Sequence, residues 1–118
     1  MTETASASCL FCKIVAKQIP SKIAYEDETV FGFYDISPQA PVHILLIPRK
    51  HFASAGEAAP EDERVIGHLH RVAAQLAREL KLSSGHRVVM NTGPDAGQTV
   101  FHAHLHLLGG RYMAWPPG

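Results

Sequence analysis

The stretch Phe101-His102-Ala103-His104-Leu105-His106-Leu107-Leu108-Gly109-Gly110 limits what this chain can be more than any other. It alternates with a period of two. Read as a strand, it sets His102, His104 and His106 on one face and Ala103, Leu105 and Leu107 on the other, toward a core. Three imidazoles along one face make a poor packing solution, because each buried ring nitrogen needs a partner. Two chemistries use such a row. Neutral imidazole is a good zinc ligand, but same-face neighbours on a strand stand about 6.6 Å apart and do not converge naturally on one ion. The other is nucleophilic catalysis, in which one ring attacks and its neighbours orient it or serve the leaving group. The preceding turn, Asn91-Thr92-Gly93-Pro94-Asp95-Ala96-Gly97-Gln98-Thr99, favours the second. Its glycines let backbone N–H groups close on an anion, and Gln98 and Thr99 add donors. A histidine nucleophile beside an anion cradle points to phosphoryl or nucleotidyl transfer.

At 118 residues the chain is long enough for one domain with a real core and too short for two ordinary ones. Its 11 basic and 11 acidic side chains cancel, which leaves no general footprint for nucleic acid or an anionic membrane. The longest apolar runs fall far short of a bilayer span. Residues 1–8 lack a basic region followed by an apolar core and so do not read as a signal peptide. They are expected to form a disordered lead-in to a single domain, 9–118, in a cytoplasmic protein. The two cysteines, Cys9 and Cys12, form a C-x-x-C pair that reads as a redox couple, half of a zinc site, or two small hydrophobes.

Residues 9–18 carry Leu10, Phe11, Ile14 and Val15 in a short amphipathic helix that Pro20 ends. Residues 22–25 and 30–34 read as a hairpin about the polar turn 26–29. A stiff two-proline loop, residues 35–41, leads to an apolar strand over 42–47 whose one polar member is His43. A long helix begins near Pro60 with acidic residues in its first turn. Val65, Leu69, Val72, Leu76 and Leu80 form its apolar stripe. At 1.5 Å per residue it spans roughly 30 Å, enough to cover one face of a sheet. Strands over 86–91 and 101–109 follow. The order predicts an α+β domain with a five-stranded, largely antiparallel sheet, one long helix and a short N-terminal helix. His68, His70 and His86 read as surface residues. The rigid aromatic tail ending Trp115-Pro116-Pro117-Gly118 is expected to pack on this domain or on a second copy.

The run from His102 to Leu108 resembles the signature of the histidine triad family. Residues 35–41, Ile47-Pro48-Arg49-Lys50-His51, Gly109-Gly110-Arg111 and the Trp-Pro-Pro tail are similar to its nucleotide-binding, phosphoramidate-hydrolysing branch. The resemblance spans residues 10–118. It implies a homodimer whose two sheets join into ten strands, with a purine nucleoside monophosphate site on each subunit. It implies that His104 attacks the α-phosphorus to form a nucleotidyl-histidine, that His102 and His106 orient it and contact phosphate, and that His43 completes the cluster. Asp35 would take the ribose hydroxyls, with Ile36 and Phe11 against the base. Asn91, Gly97 and Thr99, with Gln98 beside them, would hold the phosphate, and Trp115 would reach the partner's site. Thr99 stands where many members carry serine, and it keeps the hydroxyl.

Some bacterial members hold a structural zinc, and the resemblance carries that ligand set onto Cys9, Cys12, His51 and His102. Catalysis itself needs no cofactor in this reading. Two other functions stay open: hydrolysis of dinucleoside polyphosphates, and nucleotide binding or scaffolding with vestigial chemistry. A nucleic-acid module has neither a basic stripe nor zinc-finger spacing to support it.

Overall fold

The computed structural model of the chain describes residues 8–118, so the expected lead-in lies, but for Ser8, outside the described residues. Five strands, β1 (Ile23–Glu26), β2 (Val30–Tyr34), β3 (Val42–Pro48), β4 (His86–Val89) and β5 (Leu105–Gly109), form one sheet in the order β1-β2-β3-β5-β4. Every neighbouring pair is antiparallel. Helix α1 (Leu10–Val15) lies against one face and α2 (Glu63–Glu79) against the other.

The central strand β3 is covered on both sides, which explains its unbroken apolar run. Ile44 and Leu46 face α2 with Val30, Leu105, Leu107, Leu69, Val72, Ala73 and Leu76. Leu45 and Ile47 face the other way, with Phe31, Phe33, and Phe11 and Ile14 of α1. The α2 stripe is as expected through Leu76, whereas Leu80 caps the helix and is exposed. Gly32 lets β2 and β3 close over Leu46, since a Cβ there would sit 2.7 Å from Leu46 Cδ2. Pro60–Asp62 forms a 3-10 turn, so the α-helix proper starts at Glu63. Asp62 is buried, accepts the Ala59 N–H and pairs with Lys50 Nζ at 2.7 Å.

Two expectations fail on this scaffold. The last strand starts at Leu105, not Phe101, and β4 stops at Val89. Residues 101–104 turn away from the ladder, and the Ala103 N–H is instead donated to the Phe52 carbonyl at 2.8 Å. The triad therefore straddles a strand start rather than lining one face of a strand. His68, read as a surface residue, is half-buried and meets Asp27 Oδ2 at 2.6 Å; His70 and His86 are exposed.

Asp27 is the hub that ties α2 to the β1–β2 turn. It also accepts the Tyr25 hydroxyl at 2.6 Å and the N–H groups of Thr29 and Val30, each at 2.8 Å. Burial alone would raise its pKa, but the bonds from Tyr25, His68, Thr29 and Val30 outweigh it and hold the carboxyl well below the usual range. A depressed carboxyl stabilises the fold fully above its unfolded pKa of about 3.9, and the contribution fades as pH falls toward the folded value. Asp27→Asn is expected to cost about 1–3 kcal/mol near pH 7. Urea midpoints should show that gap unchanged down to about pH 5 and shrinking below about pH 4. A gap of the same size at pH 2.5 would refute the assignment.

Candidate active site

The histidines gather on the α1 side of the sheet. His43 on β3 points there with Leu45 and Ile47, and His106 on β5 pairs across from Leu45, so the two rings meet on the diagonal. Ring centroids are 5.2 Å apart for His43 and His106 and 4.9 Å for His104 and His106. Phe11, 4% exposed, is the floor: its ring stands edge-on to His104 at 5.1 Å and to Phe33 at 5.4 Å.

Hydrogen bonds set the tautomer of each ring, because a carbonyl can only accept. His104 Nδ1 lies 2.7 Å from the His102 carbonyl, so Nδ1 carries the proton and Nε2 the lone pair. His43 Nδ1 accepts the Gln39 N–H at 3.0 Å, which puts the His43 proton on Nε2. That proton faces His106 Nδ1 at 2.9 Å, with Asp35 Oδ2 at 3.5 Å. His106 Nδ1 thus accepts, and its Nε2–H is left to donate. Burial lowers the pKa of His43 and His104, against the opposing pull of Asp35. Burial, with His104 and His43 nearby, takes His106 to about 4. All three rings are neutral at neutral pH. The site holds one imidazole whose second nitrogen keeps a lone pair and one whose second nitrogen keeps an N–H, the pairing nucleophilic displacement needs.

A second cluster adjoins the first. Cys9, Cys12, His51 and His102 bring their ligand atoms within 4.8 Å of one another. Cys9 Sγ and Cys12 Sγ lie 3.4 and 3.6 Å from His102 Nδ1. His51 Nδ1 is 3.3 Å from Cys12 Sγ and 3.2 Å from His102 Nδ1. Ligands in a tetrahedron about zinc stand roughly 3.3–3.8 Å apart, so the donor set fits that ion. His102, fully buried, donates Nε2–H to the Pro48 carbonyl at 2.8 Å, which leaves Nδ1 a lone pair toward the cluster. Burial lowers its pKa to about 4, against the Pro48 bond, so the ring is neutral and could serve as a ligand. Asp35, His43 and His106 also converge, but the Gln39 N–H on His43 Nδ1 keeps a proton on the nitrogen a metal would need. In that trio His43 donates its Nε2–H to His106, and Asp35 lies 3.5 Å from the same nitrogen.

The sequence profile of the HIT domain matches residues 16–113. The chain belongs to the HIT family. It is 49% identical over 113 residues to an uncharacterized HIT-like protein of Synechococcus elongatus, covering 96% of this chain and 99% of that one. It is 50% identical over 111 residues to a 14 kDa zinc-binding protein of Zea mays, covering 92% and 87%. The crystal structure of a HIT family hydrolase from Legionella pneumophila superposes with a TM-score of 0.91 at 46% identity, covering 94% of this chain and all of that one.

In this HIT domain the expected residues meet different fates. His102, His104, His106, His43 and Asp35 come together as described. Asp35 Oδ1 accepts the Ser37 N–H at 2.7 Å, which leaves Oδ2 toward the site. Gln98, expected to donate to an anion, is spent on backbone groups of its own turn and of Ala53. Its amide nitrogen donates to the carbonyls of Ala53 and Val100, its oxygen accepts the Gly93 N–H, and the side chain is buried. It braces the turn that Gly93 and Gly97 make at φ 87° and 89°. Gly97 and Thr99 are exposed and Asn91 half-buried on that turn, and Thr99 lines a hollow of about 360 Å³ with Cys9 and His51. Phe11 is core, its ring taken up by Phe33 and His104. Ile36 is 98% and Trp115 79% exposed. The tail is held by its backbone: Arg87 donates to the carbonyls of Met113 and Ala114. That the nucleophile's second nitrogen meets a backbone carbonyl is expected from its chemistry, but which backbone groups the rings meet, the carbonyls of Pro48 and His102 and the N–H of Gln39, has no sequence signal.

Proposed function

We propose that this HIT protein hydrolyses the P–N bond of purine nucleoside phosphoramidates, and the related bond of aminoacyl adenylates, through a nucleotidyl-His104 intermediate. The observation that carries the reading is the 2.7 Å bond from His104 Nδ1 to the His102 carbonyl. It turns a neutral Nε2 lone pair outward beside the His106 donor. Nε2 attacks the α-phosphorus, the P–N bond breaks, and the amine leaves with a proton. Water then cleaves the phosphorus–imidazole bond and releases the nucleoside monophosphate. His106 Nε2–H, backed by His43, steadies the charge that grows on a non-bridging oxygen. Asp35 Oδ2 accepts from the ribose hydroxyls, the exposed Ile36 covers the base, and the turn bearing Asn91, Gly97 and Thr99 closes on the phosphate.

Cys9, Cys12, His51 and His102 would hold a zinc ion whose role is to cross-link α1 to the start of β5. Phe11 contributes from beneath His104 rather than at the base. The exposed Tyr112 and Trp115, the arginine-anchored tail and the edge position of β4 suit a homodimer with a continuous ten-stranded sheet and Trp115 at the partner's site. Among the described residues no helix is long and apolar enough to cross a membrane.

The test is AMP release from adenosine 5′-phosphoramidate beside diadenosine tetraphosphate, with intact mass at short times for an adduct. Faster turnover of the phosphoramidate supports the reading. A clear preference for the polyphosphate overturns the choice of substrate, and AMP binding without either turnover leaves a nucleotide-binding protein. Asp35→Ala is expected to raise KM and the AMP Kd about 10- to 100-fold with a smaller change in kcat, because a ribose contact is made in ground and transition states alike. Calorimetry with AMP checks it directly.

A further inference from the structure

The two clusters share one residue. His102 offers its ring to the cysteine–histidine centre and its carbonyl to the nucleophile. The ladder does not hold that carbonyl, because β5 begins three residues later, at Leu105. Its orientation depends on two attachments: the Ala103 N–H on the Phe52 carbonyl at 2.8 Å, and the His102 ring. The ring is tied at both nitrogens, Nε2–H to the Pro48 carbonyl at 2.8 Å and Nδ1 among Cys9, Cys12 and His51. Turning this residue moves the acceptor that holds His104 Nδ1–H, and with it the direction of the Nε2 lone pair.

We propose that Cys9, Cys12 and His51 are positioning residues for the nucleophile: with metal bound they lock the His102 ring, and the locked residue aims His104 through its carbonyl. This rests on the reading of His104 as nucleophile and of the cluster as a metal centre, and it goes further in joining the two. A purely structural centre would set the stability of α1 and leave the His104 ring alone. A coupled one changes the ring's hydrogen bond while the fold persists. Misplacing a reacting group by about 1 Å can cost on the order of 100-fold in rate.

The experiment compares protein from zinc-replete culture, the same protein stripped by a chelator, and Cys9→Ser. Cys9 caps α1 by accepting the Cys12 N–H at 3.3 Å, and serine caps well, so this variant keeps the cap and loses a thiolate. Zinc content, far-UV circular dichroism, the His104 Nδ1–H resonance in ¹⁵N-histidine-labelled protein, and kcat and KM on adenosine 5′-phosphoramidate are read on each. The expected result is zinc lost, ellipticity kept, the Nδ1–H signal broadened or exchanged away, and kcat down about 10- to 100-fold with KM nearly unchanged. Zinc lost with the His104 signal and kcat unmoved overturns the coupling alone. No zinc in the replete protein overturns it together with the metal reading. Loss of the signal only alongside lost ellipticity, in both the stripped protein and Cys9→Ser, also overturns it, since the centre then acts on the whole fold. Should the replete protein turn over no phosphoramidate, the activity reading falls and the ring signal still decides the coupling.

Discussion

His104→Ala is expected to lower kcat on adenosine 5′-phosphoramidate by about 10⁴-fold or more while AMP still binds. The size follows from how the neighbouring lone pairs are engaged. His102 Nδ1 faces the two sulfurs and His51, and its Nε2 is protonated against the Pro48 carbonyl. His106 Nδ1 accepts from His43, and His43 Nδ1 accepts from Gln39. With His104 gone, no ring in the group turns a lone pair toward the site, so no neighbour can take over the attack. Replacing His106, which donates rather than attacks, is expected to cost less, on the order of 10²-fold, as for other donors to developing charge. Single-turnover rates and an AMP titration separate chemistry from binding. A His104→Ala protein that keeps more than a hundredth of the wild-type rate would place the nucleophile elsewhere.

Removal of bound metal is expected to lower the melting temperature by roughly 10–15 °C. The centre joins residues 9 and 12 at the start of α1 to residue 51 after β3 and residue 102 before β5. A ligand that binds only the folded state at about 1,000 times its Kd adds about 4 kcal/mol. A chain of this size shifts by about 3–4 °C per kcal/mol. The larger apolar cluster, between the sheet and α2, includes none of the four ligand residues, so the stripped protein should stay folded at room temperature. Calorimetry of zinc-loaded and chelated protein, with metal analysis of both, measures the shift. A bound stoichiometric metal whose removal leaves the melting temperature unchanged would show that the centre does not brace the fold.

Much of this molecule is written in local pattern. The 3.6-residue stripe from Val65 to Leu76 became the buried face of α2, and the continuous apolar run of β3 marked a strand covered on both faces. Alternation correctly sent Leu105 and Leu107 to the core. The same alternation misled at Phe101 to His104, where the period continues but the backbone leaves the ladder to meet Phe52. Gln98 was misread for a related reason: an amide in a glycine-rich turn looks like an anion donor until the three backbone partners that exhaust it are in place. His68 lay on an exposed-looking helix face, and its partner Asp27 is 41 residues away.

The sequence by itself determined which side chains are chemically able to form a site, because imidazole, thiol and carboxylate are covalent properties of the residues and strand or helix periodicity assigns them to faces. Only the tertiary structure decided how each histidine is partnered and protonated. A ring's role depends on which nitrogen holds the proton, and here that depends on the carbonyls of His102 and Pro48 and the N–H of Gln39. Backbone groups are the same at every position, so their placement becomes specific only when the chain has folded around them.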